Sequence, residues 1–213
     1  MMNQKHNKLL QLTWQYTTPL RFATHHRSTE FKRQQKEKEM ATGKSQFTGT
    51  AGQFYVAYEL SVREINAAIT LGNAPGVDLM ASLSNGKKTL SIQVKTSRNA
   101  YRKKRYGHEG FEWDVNKGVI GKHHESFWYA FVDLQENNET WNPKVFFVPS
   151  LWVANFVKPD WSRFMYFLPA TAESLTLNRW DLFKGYLEGN TDSIKWANDW
   201  PEDKLVKWGT GAE

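Results

Sequence analysis

The sequence predicts an α/β or α+β fold in which a helix near the N-terminus precedes a mixed β-sheet flanked by helices. Three observations support this. Apolar residues recur with a helical period over residues 52–70, two alternating runs meet at Asn85-Gly86, and residues 127–134 are almost entirely apolar. A helix, an antiparallel hairpin and a central strand in this order are typical of a sheet with helices packed on its faces.

The helix predicted over residues 52–70 has one apolar stripe and one polar side. On a helical wheel the stripe contains Phe54, Ala57, Tyr58, Val62, Ile65, Ala68 and Ile69. Glu59, Arg63 and Asn66 lie on another side of the helix. Residues 71–76 contain two glycines and a proline, and such turn residues end helices.

Later parts of the chain alternate between strand and helix patterns. Apolar residues on both faces of 127–134 suit a central strand. We also predict strands at 145–148 and 164–168, helices at 151–157 and 179–187, and a loop-rich basic segment at 97–123.

The length of 213 residues predicts one domain with extensions. We place the folded domain at 47–189, a flexible basic arm at 1–46 and a polar tail at 190–213. The arm either contacts phosphates or is a dispensable leader, and Met40 is an alternative start of the native protein.

Composition excludes several kinds of chemistry. The chain has no cysteine, so disulfides, thiolate metal sites and cysteine nucleophiles are excluded. No apolar stretch approaches the roughly 20 residues that cross a bilayer, and the N-terminus lacks the apolar run of a signal peptide. We therefore expect a cytoplasmic protein without a membrane partner.

Positive charge is concentrated in two places. Residues 1–50 hold nine Lys/Arg and three Asp/Glu, while residues 87–105 hold eight Lys/Arg and no acid. Clusters of this kind bind phosphates through counterion release, although a solvated loop is the alternative interpretation. The candidate nucleic-acid contacts in the second cluster are Arg98, Arg102, Lys103, Lys104 and Arg105.

The Asn85-Gly86 pair predicts a β-hairpin with a two-residue type I′ turn. In that register Asp78 stands opposite Gln93, and Lys95 points to the same face one step further along. The opposite face is then wholly apolar, with Leu79 and Ala81 beside Leu90, Ile92 and Val94. Since a slip of one residue would bury Asp78 and Lys95, the pattern itself specifies the register.

A polar hairpin face is usually just the solvated face. Two features favour a site. Asp78 lies at the strand entrance beside a Pro-Gly turn, and Lys95 is followed by a basic run, Tyr101 to Tyr106, bounded by aromatic residues.

Three segments together resemble the PD-(D/E)XK nuclease superfamily, most closely the Mrr-type restriction endonucleases and related bacterial domains with a Q-x-K motif. They are Gly49-Thr-Ala-Gly-Gln53, Pro75-Gly-Val-Asp-Leu-Met-Ala81 and Ile92-Gln-Val-Lys-Thr-Ser97. The similarity covers roughly residues 48–150. It implies a restriction-endonuclease-like core, with an N-terminal helix and a mixed sheet that binds a divalent cation, Mg²⁺ or Mn²⁺, at its polar end.

The resemblance also implies roles for individual residues. Asp78, Gln93 and Val94 would hold the cation, and Lys95 would orient the attacking water or stabilise charge on the phosphate. Two acidic positions of the family's pattern are glutamine here, Gln53 and Gln93. Glu59 is a candidate to compensate for the missing acids, with an exposed helical Glu beside Arg63 as the alternative.

Two further candidates are weaker. His123-His124, with His108 upstream, suggest a second metal site, yet paired histidines before a strand are more often surface residues. Tryptophans in the C-terminal half could stack on bases, but Trp152, Trp161 and Trp180 fit a core better because of their helix and strand surroundings.

These observations predict a metal-dependent endonuclease that uses Asp78, Gln93 and Lys95, with DNA as the more favoured nucleic acid. Cutting both strands would favour a homodimer. The alternative is a catalytically inactive nuclease-fold protein that binds nucleic acid or a partner protein, and an assembly role is a third possibility.

Overall fold

A five-stranded mixed sheet is the centre of the fold in the computed structural model. The structure describes residues 35, 43–70, 76–105, 108–120, 122–136, 140–157 and 164–199, leaving aside the side chains of 104, 105, 108 and 164. The chain divides into two compact units, Met1–Ser45 and Gln46–Glu213. The arm predicted at 1–46 lies almost wholly outside the described residues. None of the described helices is both long and apolar enough to span a membrane.

The mixed α and β content of the described chain confirms the predicted fold class. Its elements are helix α1 over residues 43–61, β1 (Asn66–Ile69), β2 (Leu79–Ser82), β3 (Thr89–Ser97), β4 (Tyr101–Arg105), β5 (His108–Asp114), β6 (Phe127–Asp133), β7 (Lys144–Pro149), α2 (Ser150–Phe156), β8 (Phe164–Phe167), α3 (Pro169–Leu175), α4 (Trp180–Glu188) and α5 (Thr191–Asn198). A short 3₁₀ turn covers Lys117–Val119.

The strands of the large sheet run in the order β1-β2-β3-β6-β7. Only the central pair, β3 and β6, is parallel, and the other pairs are antiparallel. A parallel pair needs a long crossover, and the chain between β3 and β6 supplies it with β4 and β5. These two strands form a second, three-stranded antiparallel sheet with β8.

Alternating side chains of the large sheet enter two separate hydrophobic cores. Trp128, Ala130 and Val132 of β6 join β2 and β3 residues in the first core, together with Val56 of α1 and Phe183 of α4. Tyr129 and Phe131 of the same strand join the second core, which contains residues of β5, β7, β8 and α2. This division explains why β6 is apolar on both faces.

The predicted register of the β2–β3 hairpin is confirmed. Leu79 pairs with Ile92 and Ser82 with Thr89, and the predicted apolar face is buried. The predicted two-residue type I′ turn is wrong, because the strand ladder stops at Ser82 and Thr89 and Asn85 does not have a positive φ. Asn85 Oδ1 instead accepts a hydrogen bond from the Lys87 N–H at 3.0 Å. A longer loop with the same centre preserves the register.

The predicted extent of the first helix, residues 52–70, is wrong at both ends, because the described helix already includes residues 43–51. Helix α1 stops at residue 61, and Asn66–Ile69 form strand β1. Glu64 adopts φ 63°, and the Ile65 N–H donates to the Leu60 carbonyl at 3.1 Å, which is the bond of a Schellman helix end. Glycine is usual at that left-handed position, so a glutamate there left no stop signal in the sequence.

The buried face of α1 also differs from the predicted stripe. Val56 and Leu60 are fully buried, whereas Phe54 and Tyr58 are each 61% exposed. The helix therefore packs Val56 and Leu60 into the first core with half-buried Tyr55 against it, while Phe54 and Tyr58 face outward.

Three further segments differ from their predictions. The basic segment expected to be loop-rich contains strands β4 and β5, and helix α3 was not predicted. The segment expected to be a polar tail begins with helix α5, whose Ala197 is buried in the first core. The ring centre of Trp196 in α5 lies 5.6 Å from that of Trp128 and 4.9 Å from that of Trp152. This aromatic packing attaches the otherwise polar helix to β6 and α2.

Helix α1 approaches β3 most closely at Gly52. A Cβ built on Gly52 would lie 1.9 Å from Thr96 Oγ1, a buried atom that makes no hydrogen bond to the described residues. Only a glycine lets the helix lie this close to the strand.

We expect Gly52→Ala to lower the free energy of unfolding by about 1–3 kcal/mol, because the added methyl group overpacks this contact. Gly49→Ala is the matched control, since it lies in the same helix and a Cβ there meets nothing within 4 Å. Urea denaturation should show Gly49→Ala as stable as the parent or slightly more so. Equal stability of the two variants would contradict the close approach.

Candidate active site

Asp78 lies immediately before β2, where that strand begins to pair with β3. The Asp78 N–H donates to the Ile92 carbonyl at 2.9 Å, and the Asp78 carbonyl accepts from the Thr70 N–H at 3.0 Å. Asp78 is therefore held by backbone bonds on both sides, between β1 and β3. These bonds fix the Cα position of Asp78 at the end of the strand ladder, and its side chain is half-buried.

The Asp78 carboxylate accepts two hydrogen bonds. Oδ2 accepts from the Val94 backbone N–H at 2.7 Å, and Oδ1 accepts from Gln53 Nε2 at 2.9 Å. Strand β3 continues to Ser97 while its pairing with β2 ends at Leu79–Ile92. The carboxylate thus takes the place of the missing strand partner of Val94, at a point where the sheet edge opens.

Gln53 reaches Asp78 from helix α1. The preceding residue is Gly52, whose contact with Thr96 brings the helix against β3. Packing of Val56 and Leu60 in the first core fixes the rotation of the helix. The close approach of the helix therefore delivers an amide group, rather than the acid usual in the resembled family, to the edge of Asp78.

Gln93 and Lys95 lie on the polar face of β3, and both are half-buried. Their parallel neighbours on β6 are Tyr129 and Phe131. Lys95 Nζ makes no hydrogen bond or ion pair with the described residues, so its charge is available to a ligand. Gln93 and Lys95 therefore flank Val94, the β3 residue whose N–H donates to the Asp78 carboxylate.

Glu59 does not join this cluster. Its carboxylate forms an ion pair with Arg63 at 2.5 Å, and the Arg63 guanidinium lies 4.5 Å from the centre of the Trp180 ring. The Tyr55 hydroxyl donates to the Pro143 carbonyl at 3.4 Å, and burial together with the nearby Glu59 carboxylate raises the pKa of Tyr55 to about 12. The structure thus favours the alternative interpretation, a helical Glu paired with Arg63.

The predicted nucleic-acid contacts lie at the end of β3 and along β4. Arg98 forms an ion pair with Glu136 at 2.5 Å and donates to Thr48 Oγ1 at 3.2 Å. Arg102 donates to the Asn99 carbonyl, and Lys103 is exposed. The side chains of Lys104 and Arg105 lie outside the described part of the structure.

Buried Asp133 anchors the segment that leads into this basic strand. Its Oδ1 accepts from the Ala100 N–H at 2.8 Å and from the Gln135 N–H at 3.2 Å. Burial raises the pKa of this carboxyl despite the two hydrogen bonds. The hydrogen bond from Ala100 therefore ties the start of β4 to the end of β6. It fixes the position of β4, the strand that contains the basic residues.

The two histidines of the suggested second metal site lie in the turn before β6. His124 Nδ1 is 2.7 Å from Ser126 Oγ and accepts from the Ser126 N–H at 3.1 Å. Among the described residues there is no group of three His, Cys, Asp or Glu side chains suited to a metal ion. His124 is therefore part of a local turn.

Comparisons with known proteins leave the family of this chain open. No family model matches it, and no curated protein matches its sequence. Among solved structures, it is similar to a bacterial homing endonuclease, I-Ssp6803I, at 14% identity and a TM-score of 0.41. The match covers 69% of this chain and 98% of that one. At this level of overlap, any functional argument has to come from the residues of the site.

Tyr129 and Phe127 border the site but were not among the predicted site residues. Both side chains lie on the Gln93 face, opposite Gln93 and Ser91 respectively. The alternation along 127–131 is visible in the sequence. Because β6 is apolar on both faces, that alternation alone could not show which side chains accompany Gln93.

The oxygen atoms available at this edge suit a hard divalent cation. They are the Asp78 carboxylate, the amide oxygens of Gln53 and Gln93, and the Val94 carbonyl, which faces the same side of β3 as the Val94 N–H. Mg²⁺ takes oxygen ligands of this kind and keeps several waters. With one carboxylate in the set, the residues fit such an ion but predict weak binding.

Changing Gln53 to Glu should strengthen divalent-cation binding. The substitution replaces the amide donor at Asp78 Oδ1 with a second carboxylate, and Mg²⁺ favours added negative charge in its ligand set. We expect the Mn²⁺ dissociation constant, measured by calorimetry, to fall about tenfold or more, which is about 1.4 kcal/mol.

Gln46→Glu is the matched control for this change. Gln46 is exposed on the same helix two turns earlier, so it adds the same charge at a distance of roughly 10 Å along the axis. An equal gain in affinity for both variants would show a general charge effect and argue against a cation at Asp78.

Proposed function

We propose that this protein is a metal-dependent nuclease that hydrolyses phosphodiester bonds, with DNA as the more favoured substrate. The observation that carries the proposal is the junction of three elements at Asp78. There α1 supplies Gln53, the β2 entrance supplies the carboxylate, and β3 supplies the Val94 N–H, with Gln93 and Lys95 on either side of Val94. The resemblance to the PD-(D/E)XK nucleases rests on the same residues and supports the proposal.

Asp78, Gln93 and the Val94 carbonyl would hold the cation. When bound, the cation supplies Lewis-acid stabilisation of charge on the phosphate and a more acidic water. The Val94 N–H holds Asp78 Oδ2, and Gln53 holds Oδ1, so the carboxylate is oriented before any ligand arrives. This orientation removes one part of the entropic cost of assembling the site.

Lys95 acts on the phosphate. Its ammonium is a compact charge with three donors, suited to a non-bridging phosphate oxygen or to an attacking water. Because Lys95 has no ion-pair partner among the described residues, no carboxylate has to be displaced when a phosphate binds. The charge is most useful as negative charge develops on the phosphate oxygens in the transition state.

The basic residues after Lys95 would hold the neighbouring backbone. Arg102 and Lys103 lie on β4, which follows the site in the chain. Contacts of this kind add affinity without reading sequence, and they weaken as salt rises. Endonuclease action on a duplex would then combine one cutting site with an extended phosphate contact.

One observation supports the alternative of a binding protein without catalysis. Both carboxylate oxygens of Asp78 already accept hydrogen bonds, and Gln53 and Gln93 stand where the resembled family commonly has acids. A cation must therefore compete with the Gln53 amide for Oδ1. Under this alternative the basic strand would still bind nucleic acid.

A cleavage assay separates the two. Supercoiled plasmid, linear duplex, single-stranded DNA and RNA are incubated with the protein and Mg²⁺ or Mn²⁺, with excess EDTA as the control. The proposal expects conversion of supercoiled to nicked or linear plasmid that stops in EDTA. Salt-sensitive binding of all substrates without cutting in either metal would overturn the nuclease proposal and favour the alternative.

A further inference from the structure

A cleft of about 720 Å³ opens beside Gln93, and Gly76 and Val77, the two residues that precede Asp78, also line it. Its position is set by the sheet, because Gln93 forms one wall and the loop before β6 forms the other. Its described lining includes Ser91, Gln93, Asn116, Lys122, Phe127 and Tyr129. Its volume falls within the range of small-molecule sites.

Two aromatic side chains form the floor of the cleft. Phe127 and Tyr129 lie on the same face of β6, with ring centres 5.0 Å apart and planes at 56°. In the parallel ladder they stand beside Ser91 and Gln93, one strand spacing of about 4.8 Å away. Phe127 is half-buried, so part of its ring faces the cleft. Tyr129 is 1% exposed, so the Phe127 ring is the aromatic surface of this pair that a flat π-system can contact.

Polar groups surround this aromatic floor. Asn116 Oδ1 accepts from the Gly118 N–H at 2.9 Å, which leaves its NH₂ group as a donor. The Tyr129 hydroxyl makes no hydrogen bond to the described residues, and burial raises the pKa of Tyr129 to about 12, so it remains a protonated donor. Ser91 and Gln93 add groups that can donate or accept.

The charge of the cleft favours an anionic ligand. Lys122 and His123 are exposed at its rim, and its described lining contains no Asp or Glu. A purely apolar ligand would leave the amides unpaired, and a free phosphate would not use the rings. An aromatic heterocycle with hydrogen-bonding edges and a nearby phosphate would use the aromatic surface, the polar groups and the positive charge of the cleft.

We propose that this cleft binds a single unstacked nucleobase next to the phosphate that Lys95 contacts in the proposed site. The inference rests on the proposed nuclease function and adds the class of group that the site selects. The base lies against Phe127, its edge is read by Asn116, Gln93 and the Tyr129 hydroxyl, and Lys122 contacts the adjoining phosphate. A duplex must open locally to supply such a base, so unpaired or destabilised nucleotides are preferred.

The test compares ligands with and without a base, in the absence of metal. Calorimetry measures binding of the four deoxynucleoside monophosphates and of 2-deoxyribose 5-phosphate. We expect at least one nucleotide to bind tenfold or more tightly than the sugar phosphate. Phe127→Leu, which removes the ring but keeps an apolar side chain, should reduce that preference by about fivefold or more. Tyr58→Ala removes an aromatic ring that is 61% exposed on α1, and it should leave the preference unchanged.

Two results would overturn the base site. One is equal affinity for nucleotide and sugar phosphate, and the other is a preference that Phe127→Leu leaves intact. Neither depends on cleavage, so the base site can fail while metal-dependent cutting persists. Conversely, a protein that cuts nothing but keeps a Phe127-dependent preference retains the base site and loses the nuclease function.

Discussion

Replacing Asp78 by Asn is expected to reduce metal-dependent cleavage by about a thousandfold. The substitution removes the one carboxylate that the described residues place beside the Val94 backbone, and loss of metal stabilisation costs several kcal/mol in the transition state. The remaining Asn oxygen can still accept from the Val94 N–H, and Gln53 can present its oxygen to the new NH₂ group. The fold should therefore survive.

Single-turnover cleavage of plasmid in Mg²⁺ measures this effect, and a melting temperature close to that of the parent confirms folding. Asp192→Asn is the control, because Asp192 is an exposed residue in the first turn of α5, on a different element from the site. Its cleavage rate should match that of the parent. If Asp78→Asn cuts as fast as Asp192→Asn, the carboxylate has no part in the reaction.

Replacing Lys95 by Met is expected to slow cleavage about a hundredfold while leaving DNA binding within a few fold. In the proposed mechanism the charge of Lys95 acts on the reacting phosphate, and removing one group that stabilises the transition state costs about that much. The phosphate contacts proposed for β4 would be unchanged, so we expect affinity to depend little on this residue. Stability should change by no more than about 0.5 kcal/mol, because Lys95 forms no ion pair with the described residues.

Lys87→Met provides the matched control. Lys87 is exposed in the loop of the same hairpin, at the opposite end from the site. Its replacement by Met removes the same charge as Lys95→Met. Comparison of cleavage rate at saturating DNA with binding measured in Ca²⁺ separates the two contributions. A loss of affinity equal to the loss of rate in Lys95→Met would show a binding contact and contradict a role in the reaction.

The hairpin could be predicted from sequence because its two faces differ so clearly. Leu79, Ile92 and Val94 had to share the buried side, and this placed Asp78 against β3 whatever the details of the turn. The predicted turn type was wrong. A two-residue turn and a longer loop centred on the same two residues give the same strand pairing, so the pattern of the strands does not distinguish them. The polar face was thus more predictable than the loop that joins its strands.

The remainder of the site depended on tertiary contacts that no local pattern contains. The hydrogen bond from Gln53 to Asp78 requires a rotation of α1 that buries Val56 and Leu60. The helical wheel predicted instead that Phe54 and Tyr58 would be buried. The position of Tyr129 depends on the parallel pairing of β3 and β6, which are separated by about thirty residues of crossover. Parallel partners at that separation have no turn signal to identify them.

Iron-directed cleavage of the protein itself can locate a cation at Asp78, because Fe²⁺ with ascorbate and peroxide cuts the backbone beside the bound ion. We expect two breaks, one near Asp78 and one near Gln93 to Lys95, both suppressed by excess Mg²⁺ and absent from Asp78→Asn. Breaks confined to the His123-His124 turn, or a pattern that Asp78→Asn leaves unchanged, would contradict a cation at the junction of β2 and β3.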